Sequence, residues 1–580
     1  MALTGESGET ESAGLASAPA TPPPAGPPLA EPARAARPAA GAAPPPRPQS
    51  PVWWGIATAL GGGLLLAAAF PPVGVWPLAP FGPALLVLAL WRRGARASFG
   101  LGLIFGLAFF VPLLSWLINL AWYAWAALAI AEALIFALLC LGQQLLLRWR
   151  AWPVTVAAWW VSAEALRDRW PYAFPWGRLA MSQAGAPSAR WTAVGGPPLL
   201  SLLIAATGTT LAWALLTRTS RRAASPASAP RRRDGSTAGA GAATPAGTAR
   251  RLLPVLALLA VAGLTAAGRV LPADPQPPSP RTAVVAAIQG DVPHARDLPN
   301  LLRASTVTAN HAQATERLAA EVHAGALPAP DLVIWPENST DLDPRLYPPI
   351  RAEIAAATRA IARPVLVGEV LQAPLRNVGQ LWTPQRGPGP VYVKRQLVPF
   401  GEYIPFRGLL SHVTSLVALQ PHDFTPGHRV VVFRAGQIRL GDVICYEVGF
   451  DNLVASEVTA GANLLSVQTN DATFEVDGQR GETLQQLAMA RIRAIEYDRA
   501  MVVASTTGVS AVIGPDGQLI ARGGTWRAAE LDARVPLLTY RTLAARAGPW
   551  PEYVITALAL AALAAAAAAA VTRRRRVTPL

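Results

Sequence analysis

Eight stretches of almost unbroken apolar residues punctuate the chain, near 53–70, 72–91, 97–118, 121–147, 152–166, 193–217, 252–271 and 552–571. Most are long enough for a helix to cross a hydrocarbon core of about 30 Å. The fifth, WPVTVAAWWVSAEAL, is short and carries Glu164. Between the seventh and eighth, from about 272 to 550, the pattern changes to short β-branched runs alternating with helical ones. TAVVAAIQGDV, DLVIWPE, PVLVGEV, HRVVVF, RLGDVICYE, NLLSVQTND, AMVVAST and VSAVIGPDGQLI predict strands. LLRASTVTANHAQATERLAAEV and ETLQQLAMARIRAIEYDRA predict helices, and GPDG a hairpin turn. The pattern therefore predicts a multi-span helical membrane domain followed by a layered α/β domain.

Charge orients the spans. Arginines follow the second (Arg92, Arg93, Arg96), the fourth (Arg148, Arg150), the sixth (Arg218, Arg221, Arg222 and residues 231–233) and the eighth (residues 573–576). If all eight spans cross, these clusters share one side, which the positive-inside rule assigns to the cytoplasm together with both termini. Dropping the weak fifth span would split the clusters, so the charges argue for counting it. The expected organisation is an Ala/Pro-rich disordered cytoplasmic tail at 1–50, seven helices in 51–271 with a basic cytoplasmic loop at 218–251, an extracytoplasmic catalytic domain at 272–550, an eighth span at 551–572 and a basic tail at 573–580. The tail lacks the short basic start and early apolar stretch of a signal peptide. One outer loop, 167–190, departs from the charge rule: Arg167, Arg169, Arg178 and Arg190 stand among Trp170, Tyr172, Phe174 and Trp176. That mixture suits either contact with phospholipid head groups or an ordinary interfacial aromatic belt.

Composition supports a chain partly in lipid: 52% of residues are hydrophobic and 15% charged, yet the net charge is +15. The arginine clusters account for that charge as topological anchors, without a nucleic-acid partner. Two cysteines, Cys140 and Cys445, exclude a disulfide framework or a cysteine-based zinc site, and Cys140 lies in a span. Lysine and arginine total 50, and Lys394 is the single lysine. Arginine supplies charge as readily, but not a compact ammonium of tunable pKa, so the surviving lysine is a candidate for chemistry.

Glu337 ends one predicted strand, Cys445 ends another, and Lys394 lies in a loop-rich stretch between them. A thiol nucleophile needs a base to take its proton and a positive charge beside the oxyanion it creates. The three could supply base, nucleophile and cation. No histidine of the outer domain (His294, His311, His323, His412, His422, His428) stands in a recognisable cysteine–histidine arrangement.

Several segments carry a resemblance: VIWPENS around Glu337, YVKRQLVPFGEYIPF around Lys394, GDVICYEVGF around Cys445, TNDATF at 469–474, QLAMARIRAIEYDRA at 486–500 and FPWGRLAMSQ at 174–183. Together they resemble the nitrilase superfamily and, within it, the integral-membrane apolipoprotein N-acyltransferases. The resemblance implies about eight membrane helices and an extracytoplasmic α-β-β-α sandwich. It implies Glu337 as general base, Lys394 as oxyanion stabiliser and Cys445 as nucleophile. Glu402 matches a second essential glutamate, and the Tyr446 N–H would complete the oxyanion hole. Glu447, Trp335, Asn470, Phe174 and Trp176 match supporting or substrate-binding positions. The implied reaction moves a fatty acyl chain from a membrane phospholipid, through a cysteine thioester, to the α-amine of a diacylglyceryl-modified apolipoprotein. It uses no cofactor or metal, and the enzyme would be a monomer in the bacterial cytoplasmic membrane. A membrane-tethered nitrilase-type hydrolase is the alternative. Thr473, Phe474 and Glu475 depart from the aromatic–glycine sequence that many members have there.

Overall fold

The computed structural model describes residues 51–222, 245–271, 280–293, 300–412, 422–474 and 478–577. The expected tail at 1–50, most of the basic loop, the expected catalytic-domain start at 272 and His294 lie outside the described residues.

The first part is helical: α1 (Val52–Ala69), α2 (Phe81–Leu90), α3 (Ala95–Leu113), α4 (Trp122–Leu146), α5 (Trp152–Arg167), α6 (Thr192–Arg222) and α7 (Pro245–Ala266). Small residues let these helices approach closely. A Cβ added to Gly106 of α3 would stand 2.7 Å from the Ala133 Cα of α4. α6 is broken near its start at Gly195 and Gly196, the latter at φ +69°, before the Pro197–Pro198 pair.

Among the described residues, six helical stretches have the length and composition to cross a membrane: Val52–Ala69, Ala95–Leu113, Trp122–Leu146, Pro187–Arg218, Leu252–Val270 and Trp550–Thr572. The other two expected spans are helices but short. The second breaks into a 3-10 turn at Trp76–Leu78 and the ten-residue α2, because prolines at 71, 72, 77 and 80 interrupt it. The fifth, α5, has sixteen residues and is buried along most of its length.

The second part is a four-layer sandwich. Its elements are β1 (Thr282–Gln289), α8 (Asn300–His323), β2 (Leu332–Ile334), α9 (Pro348–Ile361), β3 (Val365–Gln372), β4 (Leu375–Thr383), β5 (Gly387–Val393), α10 (Arg407–Leu410), β6 (Val432–Ala435) and β7 (Ile438–Ile444). These are followed by α11 (Asp451–Thr459), β8 (Leu464–Thr469), α12 (Gly481–Tyr497), β9 (Met501–Ser505), β10 (Ala511–Ile513), β11 (Leu519–Arg522), β12 (Ala529–Pro536), α13 (Leu543–Ala547) and α14 (Trp550–Val577). α14 runs on through the basic residues expected to begin a tail at 573.

Two six-stranded sheets form, ordered β12-β1-β2-β3-β4-β5 and β11-β10-β9-β8-β7-β6. The centre of each is parallel: β1-β2-β3 in one, β7-β8-β9 in the other. Strand alternation separates the layers. Val285, Ala287, Leu332 and Ile334 meet Leu440, Ile444, Leu464 and Val502 between the sheets. Ala286, Ile288, Val333 and Trp335 point the other way, onto α8 and α9. On the far side of the second sheet, Val443, Leu465 and Val467 share a core with α12 and with bundle residues such as Trp116 and Trp176. Bundle and sandwich are thus joined by continuous apolar packing.

Candidate active site

The ends of β2, β5 and β7 deliver three chemically distinct side chains to one place. Glu337 follows Pro336 in a turn laid directly on β3; a Cβ at Gly368 would stand 2.1 Å from the Pro336 carbonyl oxygen, so only glycine admits this path. Lys394 follows β5, its N–H donating to the Asn377 carbonyl (2.9 Å) and its carbonyl accepting from the Gly427 N–H (2.8 Å). Cys445 follows β7 at φ +52°, a left-handed conformation that a non-glycine residue holds only where its surroundings fix it. Such a turn projects a side chain beyond the strand end.

Lys394 Nζ lies 2.9 Å from Glu337 Oε1 and 3.1 Å from the Glu402 carboxylate. Asn377 Nδ2 bridges the same two acids, at 2.6 Å from Glu337 Oε1 and 2.9 Å from Glu402 Oε1. The remaining oxygens are held by backbone: the Asn470 N–H donates to Glu337 Oε2 (3.0 Å) and the Val398 N–H to Glu402 Oε2 (2.8 Å). Gln486 Nε2 approaches the Cys445 sulfur at 3.6 Å. Glu337, Lys394, Glu402 and Cys445 are all buried.

Burial raises the Glu337 carboxyl above the usual glutamate value; the Glu402 charge adds to the shift, while Lys394 and the Asn377 hydrogen bond oppose it. Burial alone would lower Lys394, but Glu337, Glu402 and Cys445 outweigh it and hold the ammonium above the ordinary lysine range. The Cys445 thiol is pushed well above its usual value by burial first and the Glu337 charge second, against the pull of Lys394 and a hydrogen bond from Thr469. The ammonium is therefore not enough to ionise the resting thiol. A proton acceptor has to act during the reaction, and the raised Glu337 carboxylate is better matched to that task than an ordinary one. Among the described residues, no group of three His, Cys, Asp or Glu side chains could hold a metal ion.

Glu447 is a fastener. Its Oε1 accepts from the N–H groups of Arg395 (2.6 Å) and Gln396 (3.0 Å), and its Oε2 from the Tyr392 hydroxyl (2.7 Å) and the Ile444 N–H (2.8 Å). It ties the Cys445 turn to the lysine loop. Trp335 has its ring in the core beneath α8 and α9, its Nε1 donating to Thr315 Oγ1 (2.8 Å), and only its carbonyl faces the second sheet, accepting from Gln468 Nε2 (2.6 Å). Asn470 reaches Glu337 through its backbone, while its side-chain oxygen accepts from Thr506 Oγ1 (2.9 Å).

Phe174 and Trp176 reach the site from the bundle side. The Trp176 ring stacks on Tyr446 (centroids 5.4 Å apart, planes at 14°) and on Phe174 (5.6 Å, 18°). The Tyr446 hydroxyl donates to the Ala173 carbonyl, and Arg167 donates to the Trp176 carbonyl (2.7 Å). Head-group contact, one of the two readings of the 167–190 loop, does not fit its arginines. Arg167 pairs with Glu132, and Arg178 with both Asp168 (3.0 Å) and Asp451 (2.8 Å). Arg190 binds Asp498, and the half-exposed Arg169 binds Glu552 at 2.5 Å. Each of these arginines has an acidic partner, and for Arg178 and Arg190 one such partner lies on the sandwich.

Asn377 escaped the sequence reading. It sits in a strand with few β-branched residues, and only its position 17 residues before the sole lysine hints at a role. Gln486 and Thr469 fall inside segments carrying the resemblance, but nothing in their spacing singles them out.

Residues 62–210 match the family model described as the apolipoprotein N-acyltransferase N-terminal domain, and 284–552 the model described as carbon-nitrogen hydrolase. A curated relative from Mycolicibacterium smegmatis, named apolipoprotein N-acyltransferase, is 37% identical over 524 residues, covering 88% of this chain and 84% of the relative. One of the same name from Azotobacter vinelandii is 30% identical over 542 residues, covering 88% and 95%. Among solved structures, an amidase from Nesterenkonia sp. is 17% identical, with a TM-score of 0.33, over 44% of this chain and 90% of its own.

Proposed function

Because the chain belongs to the apolipoprotein N-acyltransferase family, we propose that it acylates the free α-amine of diacylglyceryl-cysteine at lipoprotein N-termini, drawing the acyl chain from a membrane phospholipid through a thioester on Cys445. It is an enzyme of lipoprotein N-acylation, with a nitrilase-type sandwich attached to a membrane domain. The observation that carries the mechanistic reading is the buried set of Glu337, Lys394 and Glu402 beside a cysteine held in a left-handed turn.

Glu337 accepts the Cys445 proton as sulfur attacks the ester carbonyl. The negative oxygen that forms is stabilised by Lys394 Nζ and the Tyr446 N–H. Collapse expels the lysophospholipid alkoxide, which takes the proton from Glu337, and leaves the acyl group as a thioester. The α-amine then attacks that carbonyl, Glu337 takes its proton, and the proton passes to the departing Cys445 sulfur. Glu402 and Asn377 hold the ammonium and the base in register. Glu447 and the stacked Trp176–Tyr446 pair fix the turn that carries the nucleophile.

The sandwich lies outside the cytoplasm, both termini lie inside, and the chain acts as a monomer; the arginine distribution supports the sidedness. The domain limits at 51–271 and 272–550 belong to the same reading. The test is product analysis with phospholipid and a diacylglyceryl-cysteine peptide. N-acylated peptide and lysophospholipid in equal amounts are expected. Free fatty acid formed at the same rate with or without the peptide would replace this reading with hydrolysis.

A further inference from the structure

At the end of the bundle remote from the catalytic cluster, a cavity of about 290 Å³ opens to the outside, lined by Trp91, Arg92, Arg93, Gln144, Leu147 and Arg148 among others. From it we infer a second ligand site, for the phosphate-bearing head group of an anionic phospholipid.

The walls are built, not incidental. Arg93 is buried, its guanidinium donates to the Pro51 carbonyl (3.0 Å), and its own carbonyl accepts from Gln144 Nε2 (3.0 Å). These bonds fasten the start of α1, the α2–α3 turn and the end of α4 to one another. Trp91 packs on Trp152 with ring centroids 5.5 Å apart. In the same turn Arg92, the residue after the C-cap of α2, stands at φ +60°, the left-handed conformation in which helices commonly end.

The exposed Arg92 and Arg148 therefore stand with the bonded Arg93 in one concavity, with no carboxylate among the described residues that line it. Like charges gathered on a concave surface repel, and an anion between them relieves the repulsion. Guanidinium pairs with phosphate bidentately, and the space far exceeds the roughly 30 Å³ share of one water. The Leu90 and Leu147 walls suit the first carbons of a lipid chain.

Depth fits a lipid. α3 begins at this end with Ala95 and finishes at Leu113, whose carbonyl accepts from Gln485 of α12 (2.9 Å). At about 1.5 Å per residue its length is about 28 Å, close to a hydrocarbon core. The cavity thus sits at head-group level of the leaflet opposite the sandwich.

Native mass spectrometry of the full chain tests this, in a Cys445→Ala background so that the lipid is not consumed. The probes are phosphatidylglycerol, phosphatidylcholine and inorganic phosphate. Arg92→Gln with Arg148→Gln should bind one phosphatidylglycerol fewer, its affinity there reduced on the order of 25-fold at about fivefold per arginine. Leu147→Trp, which keeps every charge and fills the space, should lose the same lipid. Arg150→Gln, an arginine of the same region outside the lining, should keep it. With Cys445 restored, transfer activity should be unchanged in all three variants. Equal loss in Arg150→Gln, equal retention of phosphatidylcholine, or unchanged binding in both cavity variants would leave only a diffuse basic belt and overturn the site. Inorganic phosphate binding as tightly as the lipid, with the same variant pattern, would reassign it to a free anion.

Discussion

Among the described residues, two of the buried charge clusters are built on opposite plans. At the junction of bundle and sandwich, Arg178 binds Asp451 through two nitrogens (2.8 and 3.0 Å) and also Asp168, while Arg493 binds Asp451 (2.6 Å), Glu496 (2.7 Å) and the carbonyls of Val448 and Gly449 (2.9 Å each). Planar forks fill this cluster, and burial, which would raise Asp451, is overcome by the two arginines, which hold it well below the usual range. At the candidate active site a single ammonium is shared by two carboxylates beside a thiol, and Glu337 is left raised. In the first arrangement two arginines hold Asp451 as an ion, although burial raises the neighbouring Glu496 to about 7. In the second the raised acid shares one compact ammonium and stands beside a thiol, which gives a chain of arginines a use for one lysine.

The largest effect that separates the two clusters should come from Cys445→Ala, which removes the acyl-enzyme altogether. Intact mass after incubation with phospholipid should show no adduct, while the junction keeps the protein folded. Next, Lys394→Arg should lower turnover on the order of 10²-fold, equivalent to about 3 kcal/mol of oxyanion stabilisation, although charge is conserved. Initial rates with a diacylglyceryl-cysteine peptide measure it. Arg178→Gln should act in the opposite sense. Stranding Asp168 and Asp451 without this partner should destabilise the fold by about 3 kcal/mol, seen as a lower thermal midpoint in detergent, while acylation by the folded fraction persists.

Smaller still is an effect on pH dependence. The base works only when ionised, so acyl-enzyme formation should fall in acid, with its midpoint above the ordinary glutamate value of 4.5. Glu402 contributes to that rise, so Glu402→Gln should move the midpoint to lower pH. Single-turnover rates across pH would register the shift, and a shift upward would contradict the cluster as described.

A strand is legible in the sequence where burial on both faces leaves an apolar run, and is hidden where an edge position removes it. β1, β3, β7, β8 and β9 are apolar runs buried on both faces, and all five stand in the sequence. β4 carries Arg376, Asn377, Gly379 and Gln380, and β5 begins GPGP. β5 is an edge strand, where a missing N–H is tolerated, so its prolines hid it. β12, at the same sheet's other edge, reads AELDARVP with one face to solvent. The three side chains of the candidate site were legible because the sole lysine, the outer cysteine and Glu337 each stand at a chemically unusual place. Asn377 was not, because its value lies in bridging two acids 40 and 25 residues away, a relation only folding creates. The arginines of the 167–190 loop show the same gap: their acidic partners Asp451 and Asp498 lie more than 250 residues onward.

The most direct measurement is an intact-mass time course of acyl-enzyme formation from phospholipid, comparing the native chain with Lys394→Arg and Arg178→Gln. A single acyl adduct on Cys445 is expected in the native chain and in folded Arg178→Gln, and almost none in Lys394→Arg. Acylation of Lys394→Arg at the native rate would show that the lysine supplies only charge, and would contradict the distinction between the two clusters.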